Sequence, residues 1–213
     1  TVRFMISDSR LADQHVNGSG RIEFVGISRG KGEAELRLGD NRLSAKGSFG
    51  AAADRLQLDI TAPALAQLGA GFGGTLNARA SLAGNLAKPD ATLEAQGRDL
   101  ALPGDHHLAS FTAVASLHGE ALSLTANAAD YRLKAKNLVQ SLQLGVHGSR
   151  SHHDLNAEAQ LDNGSKLTLH ANGGLTDPAQ GWGKIQWQGM LTELSGAGAL
   201  PFKLLAATPL SLG

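Results

Sequence analysis

The residues most able to do chemistry here are histidines. Two adjacent pairs stand out among the eight, His106-His107 and His152-His153. A metal site needs imidazoles that converge on one point. On an extended strand, neighbouring side chains leave on opposite faces, so neither pair can chelate one ion there. Both pairs lie beside turn-forming residues, which predicts solvated loop histidines. Asp and Glu occur singly, with no carboxylate pair or convergent His to serve as a general acid and base. Ser and Thr are numerous, but none is read as the nucleophile of a Gly-x-Ser-x-Gly elbow. Gly71-Phe72-Gly73-Gly74 is followed by neither a helix nor a Lys, so it does not make a phosphate cradle. The expectation is a chain with no catalytic residue, no metal and no cofactor.

Composition narrows the classes further. The 213 residues carry 19 basic and 19 acidic side chains without a Lys/Arg cluster. That excludes a nucleic-acid footprint and gives no polybasic patch for anionic lipid headgroups. The absence of cysteine excludes a disulfide framework and a thiolate metal site. No stretch reaches the roughly 20 apolar residues of a spanning helix. The chain opens at Thr1 in mid-pattern without a leader-like layout, which reads as an interior fragment of a longer protein.

The apolar residues are mostly Leu (34) and Ala (33), against 6 Val, 5 Ile and 9 aromatics. Propensity alone would favour helix. Periodicity overrides it, because strict alternation recurs throughout. Leu56, Leu58 and Ile60 alternate with Gln57, Asp59 and Thr61. Leu76, Ala78, Ala80 and Leu82 oppose Asn77, Arg79 and Ser81, and Leu155 to Leu161 repeats the pattern. Further runs cover about 33–38, 42–49, 91–96, 110–117, 120–128, 131–136, 141–147, 166–171 and 184–190. Between runs lie Asn17-Gly18, Gly39-Asp40-Asn41, Lys88-Pro89-Asp90, Pro103-Gly104-Asp105 and Asp162-Asn163-Gly164, all of turn type. Short strands joined by hairpins predict an all-β antiparallel meander, treated as one segment over residues 1–213. One short helical turn is expected near 62–68.

Four stretches share a family resemblance: Leu38 to Gly50 (LGDNRLSAKGSFG), Arg55 to Leu65 (RLQLDITAPAL), Gly74 to Pro89, and Gly183 to Leu194 leading on to Ala207-Thr208-Pro209-Leu210. In order and spacing they resemble the TamB family, the inner-membrane-anchored subunit of the translocation and assembly module. The resemblance implies a periplasmic, U-shaped sheet, the β-taco, with an apolar groove on its concave side. It implies phospholipid transport between the inner and outer membranes, support of outer-membrane protein assembly, and a barrel partner, TamA, contacted through regions outside this chain.

A sheet with one apolar face must cover that face. The residues expected to line it are Leu43, Leu56, Leu58, Ile60, Leu76, Leu82, Leu93, Leu122, Leu124, Leu133, Leu142, Leu144, Leu155, Leu161, Leu167, Leu169, Ile185 and Trp187. Two readings of this face stay open, an ordinary core against a second wall and a groove for phospholipid acyl chains. Trp182 and Trp187 fit either. A chaperone-like scaffold for nascent outer-membrane strands is the alternative function. An outer-membrane barrel ranks last, since nine scattered aromatics cannot make girdles. Open sheet edges predict self-association.

Overall fold

The computed structural model describes residues 1–25, 29–84, 89–175 and 186–212. Alternation becomes strand nearly everywhere: β1 (Val2–Leu11), β2 (Gln14–Val25), β3 (Arg29–Leu38), β4 (Asn41–Phe49), β5 (Arg55–Ala62), β6 (Gly73–Gly84), β7 (Pro89–Leu102), β8 (His106–His118), β9 (Ala121–Leu133), β10 (Lys136–Ser149), β11 (His153–Leu161), β12 (Lys166–Leu175), β13 (Trp187–Ala197), β14 (Phe202–Lys203) and β15 (Thr208–Leu212). They form one sheet in sequence order from β1 to β14, with β15 beside β13. Each pairing is antiparallel, and the two ends do not meet, so the sheet is not closed into a barrel.

Register carries the alternation across the whole sheet. Leu58 faces Ala45 and Ala80, Leu93 faces Ala80 and Ala115, and Leu124 faces Ala115 and Val146. Leu155 then faces Val146 and Ala171. Neighbouring strands are only about 4.8 Å apart, so a Leu flanked by Ala has room that a row of Leu would lack. This explains a sheet made of Leu and Ala without the usual β-branched residues.

Several strands run longer than the alternation suggested, because bulges repair its breaks. Gly74 (φ 85°), Asp99 (φ 49°) and Asp130 (φ 53°) take left-handed backbone positions in β6, β7 and β9. Around Asp99, β7 carries one residue more than β6 between the pairs Gly73–Ala101 and Thr75–Arg98, and this extra residue returns the following side chains to the face they would otherwise leave. Beyond Asp99, Leu100 therefore lies over Gly97, its Cδ1 2.7 Å from where a Cβ would stand. Leu108 and Tyr131 pair in the same row. The runs 120–128 and 131–136, read as separate, are thus mainly one strand, β9.

Turn chemistry is borne out at Gly39-Asp40, Pro103-Gly104-Asp105 and Asp162-Asn163-Gly164. It fails at Asn17-Gly18, which lies inside β2, where a Cβ on Gly18 would come 2.9 Å from Leu36 Cδ1. The hairpin there turns on Ala12 and Asp13, both at positive φ. Pro89-Asp90 is likewise inside β7, and Lys88 lies outside the described residues.

The helical turn is a 3-10 turn, Leu65–Leu68. Asn41 ties it to the β3–β4 hairpin. Its Nδ2 donates to the Ala64 carbonyl (2.9 Å) and the Leu38 carbonyl (3.2 Å), and its Oδ1 accepts from the Ala64 amide (3.2 Å). Asn41 is buried, so Asn41→Ala leaves several polar groups unpaired and should cost about 2–3 kcal/mol. Chemical denaturation of the two proteins measures it.

No second layer covers the sheet among the described residues. Leu38, Ala62, Leu65, Ala113, Val146 and Ala171 are the buried apolar residues there. Accessible surface is 13214 Å² for a 22.0 kDa chain, whereas a compact globule of that mass exposes about 9,300 Å². An ordinary two-walled core is therefore not what this chain forms by itself.

Candidate functional site

Register places the expected lining residues on one face. Leu43, Leu56, Leu58, Ile60, Leu76, Leu82, Leu93, Leu122, Leu124, Leu142, Leu144, Leu155, Leu167 and Leu169 reach it by alternation. Leu161 follows Leu155, Ala157 and Ala159 by alternation, Leu133 reaches it beyond Asp130, and Trp187 does so opposite Leu175. Ile185 and Trp182 lie outside the described residues. Leu58 and Leu93 are still 37% exposed, which marks an open aliphatic surface and not a packed interior.

The face deepens into a hollow of about 430 Å³ across β9–β13 and β15. Leu122, Leu124, Leu155, Leu169 and Trp187 line it, together with Val146, His153, Ala171, Leu175 and Leu210. Its size falls within the ~300–1,000 Å³ of small-molecule sites. The opposite face also carries shallow depressions, of about 760 Å³ over β1–β5 and about 420 Å³ over β5–β8, as a twisted sheet produces.

His153 corrects the sequence reading of a solvated loop residue. It is buried, its Nδ1 lies 2.8 Å from the Ser149 carbonyl, and its Nε2 accepts the Trp187 indole N–H at 2.8 Å. His106 is also partly covered, with Nδ1 2.8 Å from the Tyr131 hydroxyl. Two of the four paired histidines thus hold aromatic partners at opposite ends of the strands. Alternation could not show this, because the partners are 25 and 34 residues away in sequence.

The opposite face is charged and hydrogen-bonded. Arg79 Nε donates to Asp59 at 2.9 Å, Arg37 and Arg42 both reach Glu35 (2.6 and 3.0 Å), and Lys166 lies 2.6 Å from Glu158. The Arg37 hydrogen bond, helped by the charge of Arg42, holds the Glu35 carboxyl below the usual range, and Asp59 raises Arg79. A lowered carboxyl contributes stability above its unfolded value and loses it as pH falls through its folded one. The stability gap between wild type and Glu35→Gln should therefore persist down to about pH 4.3 and close below it. Melting curves across that range check the sign, and the gap should be small for so exposed a pair.

Among the described residues no cluster of three His, Asp or Glu could hold a metal ion. The reading that no Ser lies in a nucleophile elbow needs a correction: Gly26-Ile27-Ser28-Arg29-Gly30 has the Gly-x-Ser-x-Gly form. Such an elbow joins a strand to a helix. Here Arg29 opens strand β3, so the context is absent, and Gly26 to Ser28 lie outside the described residues.

An open antiparallel sheet with one aliphatic face and one charged face defines an extended single-sheet β protein. The family model for the TamB N-terminal domain matches residues 8–196, and the chain belongs to the TamB family. That family comprises membrane-anchored, periplasm-spanning proteins that work with TamA in a translocation and assembly module, a transport and assembly role and not an enzymatic one. No helix among the described residues is long and apolar enough to cross a membrane. No curated protein and no solved structure matches the chain.

Proposed function

We propose that the aliphatic face carries phospholipid acyl chains through the periplasm, as one segment of a TamB-like route between the inner and outer membranes. The observation that supports this is the continuous, half-exposed Leu/Ala surface, which needs an apolar occupant. Each methylene it buries is worth about 0.8 kcal/mol, so a chain of many methylenes is held without any specific polar contact. The hollow over β9–β15 is where such a chain finds walls on several sides. The headgroup stays outside, because the lining residues offer no free charge to hold it. TamA contacts are assigned to other parts of the protein, and the whole protein is anchored in the inner membrane.

A second reading has its own support. The outer edge of β1 is unpaired among the described residues, and its Val2 and Met5 are 55% and 80% exposed. Such an edge accepts a further strand, either a nascent outer-membrane strand or a second copy of this chain. Native mass spectrometry of the chain purified without detergent separates the readings. Bound phospholipid supports the conduit, whereas bound polypeptide or lipid-free dimers support the edge.

A further inference from the structure

We propose that His153 is a positioning residue for hydrocarbon binding, its neutral imidazole holding the Trp187 indole as a fixed wall of the hollow. The proposal rests on the acyl-chain reading above. The tautomer follows from the partners. A carbonyl oxygen only accepts, so His153 Nδ1, 2.8 Å from the Ser149 oxygen, carries the hydrogen. An indole N–H only donates, so Nε2, 2.8 Å from Trp187 Nε1, is the bare lone pair. Both ring nitrogens are used, and the imidazole is neutral.

The indole is seated by design of the backbone beneath it. Gly173 of β12 and Gly189 of β13 are direct cross-strand partners. A Cβ on Gly173 would stand 2.5 Å from Trp187 Cζ2, and one on Gly189 would stand 2.6 Å from Cη2. Only glycine at both positions lets the ring lie there. The two rings sit 6.3 Å apart at 47°, a hydrogen-bonded and not a stacked arrangement.

No other lining residue of the hollow is ionisable. Its other lining residues are aliphatic or aromatic. Of the nearby charged groups, Arg150 is bound to Glu120, Asp154 lies opposite His147 on the other face, and His152 is exposed in the turn. A proton added at Nε2 would set two donors head to head and put a charge among aliphatic side chains. Either effect releases the indole and removes one wall of the site.

The test uses the chain with Trp182→Phe, so that Trp187 supplies the one indole signal, and follows its ¹H–¹⁵N resonance with 1-N-phenylnaphthylamine as a neutral apolar probe. At neutral pH the indole resonance should keep its hydrogen-bonded position in the wild type and in His153→Gln, whose amide oxygen can still accept, and should move in His153→Leu. Probe binding read at that resonance should weaken about fivefold in His153→Leu, the net worth of one hydrogen bond, and should hold in His153→Gln. If either variant loses the amide spectrum of the sheet, hydrogen-exchange protection of the wild-type indole N–H and its response to the probe decide alone: protection and a response support the clasp, and an unprotected indole overturns it. An indole that moves in neither variant while the probe binds all three proteins alike would overturn the clasp. An indole that moves in His153→Leu but never responds to the probe would overturn the hydrocarbon site and spare the clasp.

Discussion

Leu124→Asp should leave the sheet folded while removing most hydrocarbon contact. In a closed core, an unpaired carboxylate costs several kcal/mol and unfolds many domains. Leu124 is only half-buried, in a row between Ala115 and Val146, and it lines the hollow. Its carboxylate replacement can stay hydrated by turning into the open side. The stability loss should then be little more than the lost aliphatic contact, about 1.5 kcal/mol or roughly 3–6 °C in melting temperature. Binding should suffer far more, because a hydrated charge now occupies the path of the chain. A fall of about tenfold or more in lipid crosslinking corresponds to only ~1.4 kcal/mol, less than the desolvation of that charge. Leu38→Asp is the contrast: Leu38 is 7% exposed and should lose several kcal/mol. Equal unfolding of both variants would show that the Leu124 face is an ordinary core.

Gly47→Ala should be among the most destabilising single-methyl additions in the molecule. Gly47 pairs with Leu56 at φ 130°, and a Cβ there would lie 2.0 Å from the Arg55 carbonyl oxygen and 3.0 Å from Leu56 Cα. Both contacts are backbone, so no side-chain rotamer can relieve them. The β4–β5 pairing must open, at a cost of about 3 kcal/mol or more. Gly119→Ala, at φ 59° with nothing within 4 Å, bears only the left-handed backbone cost of about 1 kcal/mol. The difference between the two separates steric from conformational strain. Comparable losses would mean that the close approach at Gly47 is absent in solution.

How much of this was legible depends on the range of each interaction. Period-two alternation is local, so the strands and their shared face could be read directly, from Leu56 in β5 to Leu169 in β12. Asp99 and Asp130 look like ordinary polar breaks in a pattern. Their left-handed backbone, after which the pattern resumes, is set with the paired strands, which alternation does not show. Asn17-Gly18 is hairpin chemistry placed where a glycine was needed for another reason, the approach of Leu36. The place of His153 is not legible by alternation, because its two partners are the carbonyl of the last residue of β10 and an indole 34 residues away.

On the proposed function, one face of this sheet meets hydrocarbon and the other meets water. The most direct test places a photoreactive amino acid at neighbouring positions that differ only in face, Leu155 and Asn156, in the full-length protein within living cells. Phospholipid adducts are expected from position 155 and few from position 156, and the position 155 adduct should be lost when Leu124→Asp is added. Equal labelling from both positions, or protein adducts alone at position 155, would contradict it.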